Sequence, residues 1–298
     1  MSARAVSSIA DALTDVLGVR FEETARRPVS GGSINRCFEY RSASGSVFVK
    51  VSSASNAAEM LQAEAAGLKA LAAADAVRVP RVIVQGRCGE GAYLALEWIT
   101  LGKATRSSEA TLGKQLAWQH RCTRPEFGWD RDNTIGLTPQ PNAKCQRWDE
   151  FFRERRLRFQ LDLAAKSGAP ADVLDRGYLL CEHVSAFFTD YSPQPSLLHG
   201  DLWAGNWGCD EDGLPVIFDP AVYYGDREAD IAMTRLFGGF GAAFYAAYNS
   251  TWPLDPGASV RVPLYNLYHV LNHYNLFGGS YLQQAASMID ALLAEVGR

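Results

Sequence analysis

The stretch LLHGDLWAGNWG, residues 197 to 208, constrains this chain more than any other. It sets His199, Asp201 and Asn206 in a short loop with glycines at 200 and 205 and apolar residues around them. A few residues later PVIFDP forms a second apolar run, ending on Asp219. Two carboxylates and an amide thus stand at the ends of strand-like segments, and the remaining sequence must build a fold that presents them.

A chain of 298 residues buries a substantial core and is long enough for two lobes. With 47% hydrophobic and 21% charged residues the composition is that of a globular protein. The net charge is −4, and no run of Lys or Arg is long enough to track a phosphate backbone, so no nucleic-acid partner is expected. The N-terminal MSARAVSSIADALTDVLGV is interrupted by Asp11 and Asp15, which predicts an amphipathic helix and not a signal peptide. No segment approaches the ~18 apolar residues of a membrane span, so no membrane partner is expected. Six scattered cysteines without a CxxC pair suit free thiols in a reducing cytosol, and a cytoplasmic protein is expected.

The pattern changes near residue 100. Before it, CFEYRS and SVFVKVS around ASG predict a hairpin, and NAAEMLQAEAAGLKALAAA predicts a helix. VRVPRVIVQGR and GAYLALEWI predict two further strands. Beyond it, SSEATLGKQLAWQHRC reads as a helix whose serines suit capping. TRPEFGWDRDNTIGLTPQPNAK reads as a long loop, and a loop of that length usually carries function or is disordered. RWDEFFRERRLRFQLDLAAKSG follows as a helix with Trp148, Phe152, Phe159 and Leu163 on one stripe and arginines opposite. From about residue 227 the pattern is helical again. The HGD segment and LPVIFDP are the only strand-like insertions expected in this part. The expected fold is α+β: a small N-terminal lobe, residues 1–99, with an antiparallel sheet and one helix, and a larger, mostly helical lobe, residues 100–298.

Five features fall in one order. Gly31 and Gly32, in SGGSINRCFEY with Ser33, Ile34 and Asn35, let backbone N–H groups approach phosphate oxygens, though a plain hairpin turn has the same look. Lys50 sits inside the apolar strand VFVKV, which is costly unless its ammonium finds an anion or lies at a sheet edge. Glu64, on the following helix, is able to point back at Lys50 or simply to face water. HGDLWAGN has the H-x-D-x-x-x-x-N spacing of a kinase catalytic loop, in which Asp201 is the base and Asn206 a metal ligand. His199 then braces the loop, because Asp201 already fills the proton-transfer role. Asp219, ending its strand, is placed to chelate Mg²⁺ between nucleotide phosphates.

The sequence resembles the fructosamine kinase (ketosamine 3-kinase) family, within the aminoglycoside-phosphotransferase-like branch of the protein-kinase-like fold. The resemblance runs over nearly the whole chain, through GGSIN, EAAGL, FGWDRDNTIGLTPQPN, WDEFFRERRL, LLHGDLWAGN, IFDPAVYYGDREADIAMTRLFGGF and LYHVLNHYNLFGGSY. The HGD and IFDP elements belong to the wider superfamily; FGWDRDNTIG and DPAVYYGDREADIAM are more specific. The resemblance implies a bilobal kinase-like fold and transfer of the ATP γ-phosphate to the 3-hydroxyl of a ketosamine, small or protein-bound, with Mg²⁺, leading to deglycation. It also implies that Glu97, Trp98 and Ile99 form a hinge that reads adenine and that Asp230 is a buried carboxylate steadying the catalytic loop. The chain lacks the G-x-G-x-x-G and A-P-E segments of protein kinases, which speaks against Ser, Thr or Tyr in proteins as acceptor. A kinase for an aminoglycoside or choline, and a silent nucleotide-binding module, are the rival readings.

On the acceptor side, Trp129, Asp130, Asp132 and Asn133 offer an aromatic face and polar groups suited to a sugar joined to a cationic amine, with a packed surface loop as the plainer alternative. Trp203 and Trp207 border the catalytic residues and are candidates to shape the acceptor pocket. His269 and His273 have i, i+4 spacing but no third ligand nearby, so they are read as core or pocket-wall residues and not as a zinc site. Cys37 is read as a buried, inert thiol in preference to a redox switch.

Overall fold

Helix α1, Ile9–Leu17, begins where the Ser8 hydroxyl accepts the Asp11 N–H at 3.1 Å and ends where Gly18 turns left-handed. It is the amphipathic helix the sequence predicts, and Ile9, Ala12 and Leu13 bury against a sheet. The sheet comprises β1 (Arg27–Val29), β2 (Arg36–Ser42), β3 (Gly45–Ser52), β4 (Val82–Cys88) and β5 (Gly91–Glu97), with helix α2 (Ala57–Ala73) between β3 and β4 in the chain. The strand order is β1-β2-β3-β5-β4, antiparallel throughout. Side chains alternate along β3, so Val47, Val49 and Val51 join the α1 core with Tyr40 and Tyr93. Lys50 must then leave by the opposite face.

In this computed structural model the described residues are 8–29 and 35–298, and the chain divides into two compact units. One unit takes the chain up to residue 104 together with 208–219; the other takes 105–207 and 220–298. The C-terminal part is therefore not one continuous piece. Its segment 208–219 returns to the first unit, where Ile217 donates its N–H to the Arg78 carbonyl at 3.0 Å and Gly102 pairs with Cys209.

The second unit is mostly helical. Helix α3 (Arg106–His120) starts at Thr105, whose hydroxyl and N–H exchange hydrogen bonds with Ser108, so the cap is a reciprocal box and not a serine alone. The 123–144 stretch is ordered: a hairpin of β6 (Asn133–Ile135) and β7 (Thr138–Gln140) sits within it, and Gly128 pairs with Tyr224. Next come α4 (Trp148–Phe152), a π-helical turn (Arg153–Arg158), α5 (Phe159–Lys166) and α6 (Ala171–His183). The widened turn changes the phase of the expected stripe. Trp148 and Phe152 are buried as expected, but Phe159 and Leu163 are only half-buried, while Arg156, Leu157, Gln160, Leu161 and Ala164 face inward.

Strands β8 (Ser196–Leu198), β9 (Trp207–Cys209), β10 (Pro215–Ile217) and β11 (Tyr223–Gly225) form two short pairs, β8 with β11 and β9 with β10. With the β6–β7 hairpin, they make the C-terminal half richer in strands than expected. Helices α7 (Glu228–Leu236), α8 (Ala242–Thr251), α9 (Ala258–Phe277) and α10 (Tyr281–Glu295) complete the unit, with α9 buried along Leu264–Asn272.

The α3–α8 contact depends on one missing side chain. A Cβ on Gly113 would lie 2.2 Å from the Phe244 carbonyl oxygen, backbone that cannot yield without moving a helix. Gly113→Ala is expected to destabilise the protein by about 1–3 kcal/mol. A lower urea midpoint at unchanged m-value would check it; an unchanged midpoint would mean that the helices separate at no cost.

Candidate active site

Within the first unit, Lys50 is the centre of charge. Strand alternation sends its side chain away from the valine face, and the ammonium, 5% exposed, meets Glu64 Oε1 at 2.6 Å and Asp219 Oδ1 at 2.5 Å. Burial alone would lower the lysine pKa, but the Asp219 and Glu64 carboxylates raise it well above its ordinary value, so the ammonium stays charged. Burial raises the Glu64 carboxyl, opposed by Lys50 and assisted by Asp219. Of the two carboxylates on this cation, Glu64 is 13% exposed and Asp219 37%. Asp219 is also held at φ 57°, a left-handed conformation that a non-glycine residue adopts only under local constraint. Among the described residues no group of three or more His, Cys, Asp or Glu side chains forms a metal cage. A partly exposed carboxylate fits the other manner of holding Mg²⁺, by one or two protein oxygens together with substrate phosphates.

Within the second unit, the 199–206 loop is gripped from below. Asp230, on the first turn of α7, accepts the N–H of His199 at 2.7 Å and of Gly200 at 2.8 Å. Both bonds require the chain to turn at Gly200, where φ is 83° and a Cβ would lie 2.1 Å from the Ala221 carbonyl oxygen. Asp230 is buried, which alone would raise its pKa; the His120 hydrogen bond and the nearby imidazoles outweigh burial and hold it below the usual carboxylate range. His120 Nε2 lies 3.1 Å from Asp230, and Tyr248 and Arg227 continue the chain behind it. The His199 ring braces the loop as expected, its Nδ1 accepting the Asp201 N–H at 3.3 Å. Asn206 donates its amide to the Asp201 carbonyl at 2.8 Å and to Oδ2 at 3.1 Å, which orients the Asp201 carboxylate.

The other sequence-derived candidates fall differently. Gly31, Gly32, Ser33 and Ile34 lie outside the described residues; Asn35 is half-buried. Glu97 closes β5; its side chain is engaged by Arg78 at 2.9 Å and by the Arg81 N–H at 3.1 Å, and its own N–H is donated to the Arg81 carbonyl at 2.8 Å. Trp98 packs its ring beside Phe48, and Ile99 follows it, half-buried.

Of the acceptor-loop candidates, Trp129 and Asn133 are buried, while Asp130 and Asp132 are exposed with partners inside the chain. Trp129 is buried, and Asp130 is already matched by Arg124 at 2.7 Å and Lys144 at 2.8 Å, whose hydrogen bonds lower its pKa. Asp132 holds the Asn142 N–H at 2.7 Å. Asn133 is buried, giving its amide to the Val222 carbonyl and accepting from Gln140 and Asn142, each at 2.8 Å. These contacts help to hold the loop. Trp207 is likewise a packing residue, stacked on Phe240, whereas Trp203 keeps 38% of its surface exposed. Cys37 is buried and its thiol is pushed up by burial, in keeping with an inert role.

His269 is buried and His273 half-buried. His273 Nδ1 bonds the His269 carbonyl and its ring packs against Phe237 and Tyr281. Two buried polar residues escaped sequence reasoning. His120 ends a helix with nothing in its spacing to set it apart, and Arg156 is one of four arginines in RERRLR.

The family model for fructosamine kinase matches residues 5–295. The chain belongs to the fructosamine kinase family. A curated relative described as a probable ketoamine kinase, from Synechocystis, is 45% identical over 96% of each chain. The chloroplastic protein-ribulosamine 3-kinase of Arabidopsis thaliana is 42% identical, covering 89% of this chain and 81% of the relative. The crystal structure of a protein described as a fructosamine-3-kinase from Haemophilus somnus superposes with a TM-score of 0.88 at 30% identity, over 96% of this chain and 97% of the other. A choline kinase of Streptococcus pneumoniae, 13% identical with a TM-score of 0.64, shares the fold, which is α+β and protein-kinase-like.

Two outcomes follow for this fructosamine kinase family member. Asp230→Asn replaces an ionised acceptor of two loop N–H groups, a change of ~1.5–3 kcal/mol that predicts a roughly ten- to hundredfold lower kcat with nucleotide affinity little changed. Wild-type kcat in Asp230→Asn would detach the loop from this carboxylate. His269, with its pKa lowered to about 3 by burial, gives the second. Below pH 6.5 the unfolded imidazole takes up a proton that the folded one refuses until about pH 3. Stability therefore falls as pH drops through that window, by up to about 1.4 kcal/mol per pH unit. His269→Phe should flatten this fall in urea titrations between pH 6.5 and 4; an unaltered slope would contradict it.

Proposed function

We propose that the protein transfers the γ-phosphate of ATP to the 3-hydroxyl of a ketosamine, acting as a fructosamine- or ribulosamine-type 3-kinase in deglycation. The observation that carries the phosphotransfer chemistry is Lys50 held charged between Glu64 and Asp219. A binding module has no use for a base, whereas here Asp201 is oriented by Asn206 on a loop tied down by Asp230. The acceptor class rests on membership of the family and on the relatives described as ketoamine and ribulosamine kinases.

In this reading Asp201 accepts the proton of the attacking hydroxyl and Lys50 steadies the nucleotide phosphates. By their place in the motifs, Asp219 and Asn206 would be the ligands of Mg²⁺, which when bound would supply charge neutralisation at the phosphates. The 31–35 segment and the 97–99 backbone take the phosphates and the adenine. Trp203, two residues from Asp201 and still exposed, is a candidate to face the sugar, and the exposed Asp130 and Asp132 are candidates for its amine. Six free cysteines, none in a disulfide, favour a reducing compartment such as the cytosol.

The test is ATP turnover across fructosamines, ribulosamines, aminoglycosides and choline. Ketosamines are expected to dominate; preferential turnover of an aminoglycoside or choline would overturn the acceptor. Asp201→Asn should lower kcat by ~10²–10⁴-fold at similar ATP affinity, and Asp219→Ala should abolish Mg²⁺-supported turnover. Near-normal rates in either variant would remove that residue from its role.

A further inference from the structure

Arg156 is a fully buried cation whose acceptors are all neutral. Its guanidinium, in the π-helical turn, donates to the carbonyls of Pro141 at 2.7 Å and Arg155 at 3.0 Å and to Asn142 Oδ1 at 2.7 Å. Its flat faces meet the rings of Tyr223, 4.1 Å to the centroid, and Phe151, 4.7 Å. Among the described residues no hydrogen-bond partner meets its Nε. Burying a charge without a counter-ion is unfavourable, and an apolar side chain of the same volume would often serve packing as well. The forked donor set is what an apolar residue could not supply.

From that fork a buried network runs to the catalytic loop. Asn142 Nδ2 donates to Asn133 Oδ1 at 2.8 Å, and Asn133 Nδ2 to the Val222 carbonyl at 2.8 Å. Gln140 Nε2 donates to Asn133 Oδ1 at 2.8 Å and to the Ala221 carbonyl at 3.1 Å, while Tyr268 closes on Gln140 Oε1 at 2.7 Å. Ala221 touches the loop directly: its N–H bonds the His199 carbonyl at 2.9 Å, and its carbonyl is the wall against which Gly200 turns. The next residue is Asp201.

We propose that Arg156 is a positioning residue for phosphoryl transfer, setting Ala221, and through it the backbone that presents Asp201, by way of Asn142, Asn133 and Gln140. The inference rests on the kinase reading above, but assigns a role to a side chain that reading does not use. Arg156 touches no reacting atom, so its loss should appear in kcat and not in nucleotide binding.

The experiment compares Arg156→Met, Arg156→Lys, Gln140→Met and the Arg156→Met/Gln140→Met double variant. It measures kcat and KM for ketosamine and ATP per folded molecule, and thermal midpoints alongside. Arg156→Met should lower kcat by ~10–100-fold with the ATP KM within about twofold, the effect of losing hydrogen bonds from a charged group. Arg156→Lys should recover part of the loss, because a single ammonium reaches fewer of the acceptors. Gln140→Met breaks the far link and leaves Arg156 in place; it should reproduce the kcat loss, and the double variant should be no worse than the poorer single one. A lower midpoint with unchanged kcat, or losses that multiply in the double variant, would overturn the proposal. If Arg156→Met does not fold, Gln140→Met and Arg156→Lys decide the matter by the same kcat criterion. Slow ATP hydrolysis by water is followed in parallel. A wild type without ketosamine turnover refutes the acceptor reading alone, and the Arg156 proposal is then judged on the hydrolysis rate, where the same loss is expected.

Discussion

The second unit depends on a carboxylate that water does not reach. Asp230 has left bulk solvent, and a buried carboxylate is tolerated only when its oxygens are met by donors. Two of those donors are consecutive backbone N–H groups, His199 and Gly200, which converge on one carboxylate only because the chain bends at Gly200. Satisfying the charge therefore dictates the loop conformation. The loop conformation in turn places the Asp201 N–H against His199 and the Asp201 carboxylate against Asn206. Charge-assisted bonds are roughly twice as strong as neutral ones, so the constraint is stiff.

The first unit follows the same rule with the opposite sign. Lys50 occupies a strand position where neighbours on either side are valines of the α1 core, and its ammonium is acceptable because Glu64 and Asp219 meet it. Asp219 comes from the segment 208–219, which the chain sends back to this unit. Arg78 secures that return by bonding both Asp210 and Glu97. A charge on a strand, a charge on a helix and a charge on a returning segment are thus joined within one unit by a single cation.

Buried polarity also explains the loop at 123–144. Phe127, Trp129 and Ile135 anchor it in the core, and beside them Asn133, Gln140 and Asn142 are buried and bonded to one another and to backbone carbonyls. A network of amides is specific because each group left unpaired is costly. The asparagine that looks in sequence like a substrate ligand is buried in that network, whereas Asp130 and Asp132 stay exposed with partners in the chain. Sequence composition cannot separate an amide that binds a ligand from one that binds its own chain.

The sequence alone determined the elements with strong local signals. Strand alternation in SVFVKVS, helix propensity in AAEMLQAEAAGLKALAA and the HGDLWAGN spacing each lie within a few residues, and each appears where expected. It also singled out Lys50, Glu64, Asp201, Asn206 and Asp219 as candidates, and the structure joins Lys50 to Glu64 and Asp219 in one unit and Asn206 to Asp201 in the other. Tertiary structure alone decided the rest. The π turn that brings Arg156 inward answers to Tyr223, Phe151 and Asn142, which come from other parts of the chain or face it only after packing. His120 acquires its role from Asp230, more than a hundred residues away, and Gly113 from the backbone of Phe244. Periodicity records which side of an element faces a core; it holds no record of which distant donor completes a buried acceptor, because that pairing exists only once the chain has folded.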